Sequence, residues 1–557
     1  MTTGLRIYVR ENMLCIAGKT SSNLWSLTMA LVVKDKKAIV LKVRDPSKYT
    51  EVLSQAGIKF KQDGHSLAVK HNVDTHKILG NLGAKLEGLE PMRVQYEYPK
   101  LHGIYNPMNH QAETAVFVSQ NPKAFVLNTQ RTGKTASCLW AADYLMKEGI
   151  INKVLVCCTV TNCGTWLNEV NAIFANRWAL VARGSSSVRR SVLRQKCDVH
   201  IINHDGIKVV NDIWDNYLTD KTLLIIDEAR LFSDTKSDRW GVMNEMATKC
   251  KYVWALTGTP LSGGPEAAYG FIKIVAPHRV PKTVGAWRAM TMIKVGNRKW
   301  IPKRGWEDIV FNALQPAIRF NADDVLDLPP LQMMYNEAEL TSDQQKAYDK
   351  LRNDGAIPLR EGRITAANAG VLVFKLLQTA AGVVKLDQDG DDDTAVLKLP
   401  PKGRLKVLDE IIQGTDNKVI VFASFKAVVD LVQEHCNKKY GSVWIDGRVT
   451  GKKRDDVVHK FQTDPKIKVL VAHPKTTSHG LEFAVADTIV WFTPHHSLEL
   501  YDQANKRIQS KLQKNNMGIY HIYCTTLERA IYNKLANGSE AQQSFLELYR
   551  KEIGETE

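Results

Sequence analysis

Nowhere in the 557 residues does an apolar run approach the ~20 residues that a membrane-spanning helix needs, so no membrane partner is expected. The opening, Met1 to Arg10, lacks a secretory pattern, and the expected location is intracellular and cytoplasmic. Cysteine is sparse and scattered. There are nine, an odd number, with no Cys-x-x-Cys pair and no nearby histidine set. That argues against a disulfide framework and against a zinc site, and it leaves reduced, mostly buried thiols. Internal repeats and long low-complexity tracts are lacking as well. Acidic residues are in deficit, 59 against 75 Lys plus Arg, which gives a formal charge of +16. A polyanionic partner follows from that surplus, although solubility alone is also served by it. Hydrophobic residues make up 44% of the chain, enough for more than one buried core, and the length implies more than one domain.

What the chain does have is an ordered pair of phosphate signals. A predicted strand, Ala124 to Asn128, runs into Thr129-Gln-Arg-Thr-Gly-Lys-Thr135 and then into a helix-like segment, Ala136 to Met146. In that setting the backbone N–H groups of Thr132, Gly133 and the helix start can cradle phosphate. Lys134 can reach the β/γ oxygens, and Thr135 can hold Mg²⁺. A second strand, Leu223 to Ile226, ends in Asp227-Glu-Ala-Arg230. Asp227 is suited to hold the metal through water, and Glu228 to orient and deprotonate an attacking water. The Gly-Lys-Thr triplet alone is a weak signal; the strand-loop-helix context and the carboxylates after a second strand make it a specific one. A third strand, Val253 to Leu256, ends in Thr257-Gly-Thr-Pro260.

The remaining pattern sets the domains. Residues 1–100 alternate strand-like runs (Leu5 to Val9, Ala38 to Val43) with a helix from Pro46 to Ala56, and read as a small, lysine-rich α+β accessory domain. Residues 101–320 form a first α/β lobe. Within it, residues 278–319 break the alternation and interleave Arg288, Arg298, Lys299 and Lys303 with Trp287, Trp300 and Trp306. Such a mixture suits phosphate contact with stacking on a base, or a local mini-core. Residues 321–400 read as a linker and a helical protrusion with an acidic loop, Asp387 to Asp393, whose glycine is misplaced for a calcium loop. Residues 401–557 form a second α/β lobe.

With these motifs in order, the chain resembles the superfamily-two helicases and translocases, and within them the Swi/Snf-type branch, over about Pro107 to Leu535. Asn109-His-Gln111 is similar to the adenine-reading glutamine element. Val154 to Thr159 with Trp166 and Glu169 is similar to the strand, DNA-contacting turn and Trp-x-x-Glu helix of the family, and Leu256 to Pro260 to its motif III. The branch is carried by Ile318 to Pro330 followed by Glu339 to Tyr348. Val419 to Phe425, Ile445 to Gly447, Gly480 to Asp487 and Gln503-Ala-Asn-Lys-Arg507 follow in the family's order. A compact motor with a small leading domain also resembles phage-encoded recombination and replication helicases and annealing helicases.

The resemblance implies two RecA-like parallel-sheet lobes that use ATP and Mg²⁺. Gln111, Thr132, Gly133, Lys134, Thr135 and Gln503 would bind nucleotide, Thr135 and Asp227 would hold the metal, and Lys134, Asp227, Glu228 and Arg507 would carry catalysis. Nucleic-acid contacts are expected at Thr159, Ser424 and Thr476, and at Arg298, Lys299 and Trp300. The implied partner is duplex or forked DNA, engaged by a monomer. A branched-DNA remodeller, a duplex translocase that displaces proteins and a non-hydrolysing scaffold remain as alternatives. Four positions depart from the family pattern. Asn128 and Arg131 stand where glycines are usual, leaving Gly133 as the unrestricted position. Arg230 replaces a histidine, and Ser510, followed by Lys511, replaces a second arginine, so Arg507 alone or with Lys511 must supply the finger.

Overall fold

A computed structural model describes residues 29–33, 37–99, 106–261, 263–295, 299–325, 329–360, 366–385, 396–477, 483–509, 513, 515–537 and 548. The expected strand at Leu5 to Val9, the acidic loop, Gly480 to Glu482, Arg298, Ser510 and Lys511 lie outside these residues, as does the side chain of Lys299. Two compact units meet in sequence between Ala322 and Asp323.

The first unit opens with a four-stranded antiparallel sheet, Met29–Val33, Ala38–Lys42, Ser66–Lys70 and Phe60–Asp63 in spatial order. Strict alternation turns Ile39 and Leu41 inward against Val69 and Leu67 across the register. Helices Ser47–Gln55 and Val73–Asn81 close over that face through Leu53 and Leu79. The second helix starts where the Asn72 side chain accepts from Thr75 N at 2.8 Å.

Beyond it lies a seven-stranded sheet in the order Ala317–Ile318, Lys123–Val126, Tyr252–Leu256, Thr222–Asp227, Lys153–Cys158, Val199–Asn203, Ala179–Ala182. Every pairing is parallel. Runs such as Thr222–Asp227 are buried along their whole length because helices cover both faces. The strand that enters the phosphate loop and the next strand in sequence, Lys153–Cys158, are separated by Tyr252–Leu256 and Thr222–Asp227. That reversal of strand order opens a crevice at the carboxyl ends, where Thr129, Asp227 and Thr257 emerge.

The expected Trp-rich excursion is corrected in part. Trp287, on helix Val284–Thr291, is 0% exposed, donates its Nε1–H to Pro265 O at 2.7 Å and belongs to the core. Trp306 is partly buried against the same core. Trp287 is therefore unavailable to stack on a base, since its apolar faces are covered. Trp300 is half-buried in a two-stranded antiparallel hairpin, Met292–Val295 with Lys299–Pro302.

The second unit is built on a six-stranded parallel sheet ordered Leu331–Glu337, Met517–Tyr523, Ala486–Trp491, Lys418–Phe422, Val469–Ala472, Ser442–Ile445. Helices Ser342–Arg360 and Ala366–Ala380 precede its main part. Beneath the sheet Arg404 and Glu528, both 0% exposed, form a bidentate pair with 2.7 Å contacts to each carboxylate oxygen. Arg404 also donates to Phe492 O and Ile522 O, and Glu528 accepts from Cys524 N, so the pair's polar atoms are widely engaged. Both units are thus parallel-sheet, RecA-like lobes flanked by helices, and no described helix is long and apolar enough to cross a membrane.

Candidate nucleotide site and nucleic-acid contacts

The phosphate loop starts where Lys123–Val126 ends and closes at Gly133, the residue before helix Lys134–Lys147. Gly133 has φ 78°, a left-handed conformation that leaves the helix's first N–H groups facing out of the loop. Arg131 also adopts a positive φ, 70°. Although Gly133 is the position expected to have an unrestricted backbone, the loop turns twice through the left-handed region, once on a residue with a Cβ. Asn128, where a glycine is usual, is 0% exposed and acts as a brace. Its Nδ2 donates to Thr114 Oγ1 at 2.9 Å and its Oδ1 accepts from Phe320 N at 3.0 Å.

The chain leaving the sheet is sewn to the same loop. Leu127 N donates to Ile318 O, Thr129 N to Phe320 O, and Ala322 N to Thr129 Oγ1 at 2.7 Å. From the other side, Gln111 and His110 on helix Asn109–Gln120 both donate to Thr132 O, at 3.3 and 2.9 Å. Burial pushes the His110 imidazole below its ordinary value, consistent with a neutral ring. Gln111 Oε1 accepts from Met108 N at 3.1 Å, so the residue expected to read adenine braces the phosphate loop here. Thr132 is buried and its hydroxyl donates to Thr129 O at 2.9 Å; Thr135 is half-buried at the first turn. The Lys134 ammonium donates to Asn128 O and Thr129 O at 2.9 and 3.0 Å, which parks it inside the loop whose phosphate it would neutralise.

Asp227 ends its strand with a carboxylate held on both oxygens. Oδ2 accepts from Asn162 Nδ2 and Trp166 Nε1, each at 3.0 Å, and Oδ1 from Glu228 N at 3.1 Å. His204 donates its Nε2–H to Asp227 O at 2.8 Å, and burial drives this imidazole down to about 4, so it stays neutral. Glu228, next in the chain, takes a left-handed φ of 50°. Motif III abuts the loop: a Cβ on Gly258 would lie 3.3 Å from Gln130 N, and Thr257 N donates to Val126 O at 3.1 Å. Arg230 reaches the same region, for a Cβ on Gly263 would lie 3.5 Å from its Nη1.

These residues suit Mg²⁺. Asp227 and the Thr135 hydroxyl are hard oxygen donors, and the Oδ1 of Asn162 is a buried acceptor with no partner among the described residues, beside the Asp227 carboxylate. No group of three or more His, Cys, Asp or Glu among the described residues could hold a metal unaided. An octahedral ion completed by phosphates and waters needs no such group.

Of the expected nucleic-acid contacts, Thr159 and Ser424 lie just past strand ends and Thr476 on the short helix Pro474–Thr477, while Lys299 and Trp300 are on the hairpin strand. Thr159 Oγ1 lies 3.0 Å from Thr161 Oγ1, and the Val160 between them is 50% exposed. In the second unit Ser424 and Thr476 come together on a cavity of about 550 Å³ that also includes Lys426, Gly447, His473 and Lys475. Gln503 and Arg507 are both buried; Gln503 Nε2 donates to Glu499 Oε1 at 3.1 Å and Arg507 Nε to Gln503 O at 2.9 Å. Sequence patterns did not identify Asn162, His204, His110 or Thr114. The only available signal was for Asn162, which sits one helical turn before Trp166.

Residues 130–382 match the family model described as SNF2-related domain, and residues 403–510 match Helicase conserved C-terminal domain. Among curated proteins, the chain is 22% identical over 432 residues to a SWI/SNF-related matrix-associated actin-dependent regulator of chromatin subfamily A-like protein 1 homolog of Caenorhabditis elegans. That alignment covers 74% of this chain and 58% of the relative. It is 22% identical to a Caenorhabditis elegans chromodomain-helicase-DNA-binding protein 3 homolog, over 52% of this chain and 17% of that protein. With DNA repair and recombination protein RDH54 of Saccharomyces cerevisiae it shares 21% over 71% of this chain and 45% of the relative. The chain thus spans less than two thirds of the length of these relatives. Among solved structures, the Sulfolobus solfataricus SWI2/SNF2 ATPase core in complex with dsDNA aligns with TM-score 0.40 and 17% identity, covering 83% of this chain and 99% of that one.

Proposed function

Because the chain belongs to the SNF2 family of superfamily-two helicase-translocase ATPases, we propose that it is an ATP-driven motor that moves along duplex DNA and displaces what is bound there. The observation that carries the reading is the meeting, at one carboxyl edge of one sheet, of the Gly133 loop, Lys134, Thr135, Asp227 and Glu228. In this reading the first-turn N–H groups and Lys134 bind the triphosphate, which draws the ammonium away from Asn128 O and Thr129 O. Thr135 and Asp227 hold Mg²⁺, which neutralises charge on the β- and γ-phosphates. Glu228 accepts a proton from the attacking water, and Arg507, with Gln503, is proposed for the developing γ-phosphate charge.

Thr159 in one lobe, and Ser424 and Thr476 in the other, are proposed to grip phosphates, with Trp300, Lys299 and Arg298 as a further contact. Phosphate contacts carry no base information, so movement is sequence-independent. Duplex translocation is favoured over remodelling of forks because backbone grip alone accounts for it. Among the relatives, the regulator of chromatin subfamily A-like protein points the same way. A fork preference would have to come from the small amino-terminal sheet, and its removal tests that.

Steady-state ATP hydrolysis is measured at one salt concentration with no nucleic acid, linear duplex, single strand, forked DNA and duplex RNA. Equal stimulation by linear and forked DNA is expected. A strong preference for the fork would replace the translocase with a junction remodeller, and no hydrolysis under any condition would leave a scaffold.

A further inference from the structure

Asn162 touches two parts of the motor at once. Its side chain holds the Asp227 carboxylate together with Trp166, four residues on in helix Asn162–Ile173 and therefore on the same face. A carboxylate only accepts, so the amide nitrogen of Asn162 is the atom it faces. The backbone of Asn162 belongs to the turn on the other side: its N–H donates to Thr159 O at 3.0 Å and to Thr159 Oγ1 at 3.3 Å. Thr159 Oγ1 in turn contacts Thr161 Oγ1. One residue thus spans from a turn with an exposed Val160 to the carboxylate at the heart of the crevice. Trp166 differs, since it is 1% exposed, packed in the core and unconnected to the turn by any hydrogen bond of its ring.

We propose that Asn162 is a positioning residue through which nucleic acid seated on the Thr159–Thr161 turn sets the orientation of the Asp227 carboxylate, and with it the affinity for Mg²⁺. The inference rests on the translocase reading for the ligand of the turn. A phosphate oxygen that accepts a hydrogen bond from the Thr159 or Thr161 hydroxyl displaces one of the contacts that now fix the turn. The turn and the Asn162 side chain move as one piece, because the backbone N–H and the side-chain amide belong to the same residue. Trp166 anchors the carboxylate from the core, so it sets a fixed part of the metal affinity, and Asn162 sets the part that responds to nucleic acid. Partners of this kind around a metal ligand are typically worth about 10- to 100-fold in affinity or activity.

The test uses the full chain, a fluorescent non-hydrolysable ATP analogue and Mg²⁺ titrations with and without linear duplex, for wild type, Asn162→Ala and Trp166→Phe. Wild type is expected to need less Mg²⁺ for half-maximal nucleotide binding when duplex is present. Asn162→Ala raises the half-point about 10-fold and abolishes the difference made by duplex; Trp166→Phe raises it by a similar factor and keeps the difference. Asn162→Ala retaining the wild-type difference overturns the proposal, and so does Trp166→Phe losing it. Asn162→Ser, which keeps a small polar side chain but cannot span to Asp227, serves if the alanine variant does not fold, with the same outcomes. If duplex stimulates hydrolysis in wild type but leaves the Mg²⁺ half-point unmoved, this inference fails alone; if duplex neither binds nor stimulates, the translocase reading fails instead.

Discussion

Gly133 and Gln111 share a space that one methyl group overfills: a Cβ built on Gly133 falls 2.1 Å from Gln111 Nε2. The same Gln111 amide donates to Thr132 O, so the glycine is required both by its φ of 78° and by the side chain that clamps the loop. Gly133→Ala strains the left-handed turn, at about 1–2 kcal/mol, and also displaces the Gln111 side chain. Nucleotide affinity is expected to fall at least about tenfold with the fold intact. Titration with a fluorescent ATP analogue, beside circular dichroism, measures it; wild-type affinity would show that the loop does not depend on the clamp.

Lys134→Ala and Glu228→Gln separate binding from chemistry. The first removes the ammonium that sits within 3.0 Å of the loop carbonyls and should weaken nucleotide binding as well as turnover. The second keeps size and should leave binding largely intact while lowering turnover by about 10² to 10⁴, the usual contribution of a general base. Persistent hydrolysis by either variant would remove that residue from the site.

How much of this the residues announced depends on how local each feature is. The strands expected at Ala124 to Asn128 and Leu223 to Ile226 are found at Lys123–Val126 and Thr222–Asp227, because continuous apolar runs that end in polar turns carry their own boundaries. The placement of Lys134, Thr135, Asp227 and Glu228 just past those strand ends was legible because the strands themselves were. Asn128 could be recognised only as a departure, since its partners Thr114 and Phe320 are brought to it by the packing of a helix and of the chain just past strand Ala317–Ile318, 192 residues away. The aromatic-basic pattern around Trp287 was ambiguous because stacking on a ligand and packing in a core ask for the same side chain. Its burial against Pro265 and Tyr269 decides for the core.

Acid should unfold the protein through histidines buried in the neutral form. Desolvation lowers His204 and His521 to about 4 and His495 to about 3, from an ordinary 6.5. Because the unfolded chain takes up protons first, the stability they contribute is complete above about pH 6.5 and is lost as pH falls toward the folded values. Each slope approaches about 1.4 kcal/mol per pH unit. Urea melts between pH 7 and pH 5 should show a falling midpoint, and His204→Gln should flatten the dependence; an unchanged slope would assign the acid sensitivity to other groups.

Removing one partner of the Arg404–Glu528 pair leaves a charge without its counter-ion where neither side chain is exposed. Glu528→Gln or Arg404→Met should cost about 3–5 kcal/mol, while replacing both by apolar residues of similar volume should recover most of it. Denaturant unfolding of the two single variants and the double variant measures the difference. Additive losses in the double variant would mean that the surrounding carbonyls, not the ion pair, hold this part of the lobe.

That pair also bears on the order in which the second lobe assembles. Arg404 enters on its helix Lys402–Gln413, whereas Glu528 arrives on Thr526–Ala536, 124 residues later. Burying Arg404 before that helix is in place would leave its guanidinium without its counter-ion, so this part of the core is expected to close only when the carboxyl-terminal helix docks.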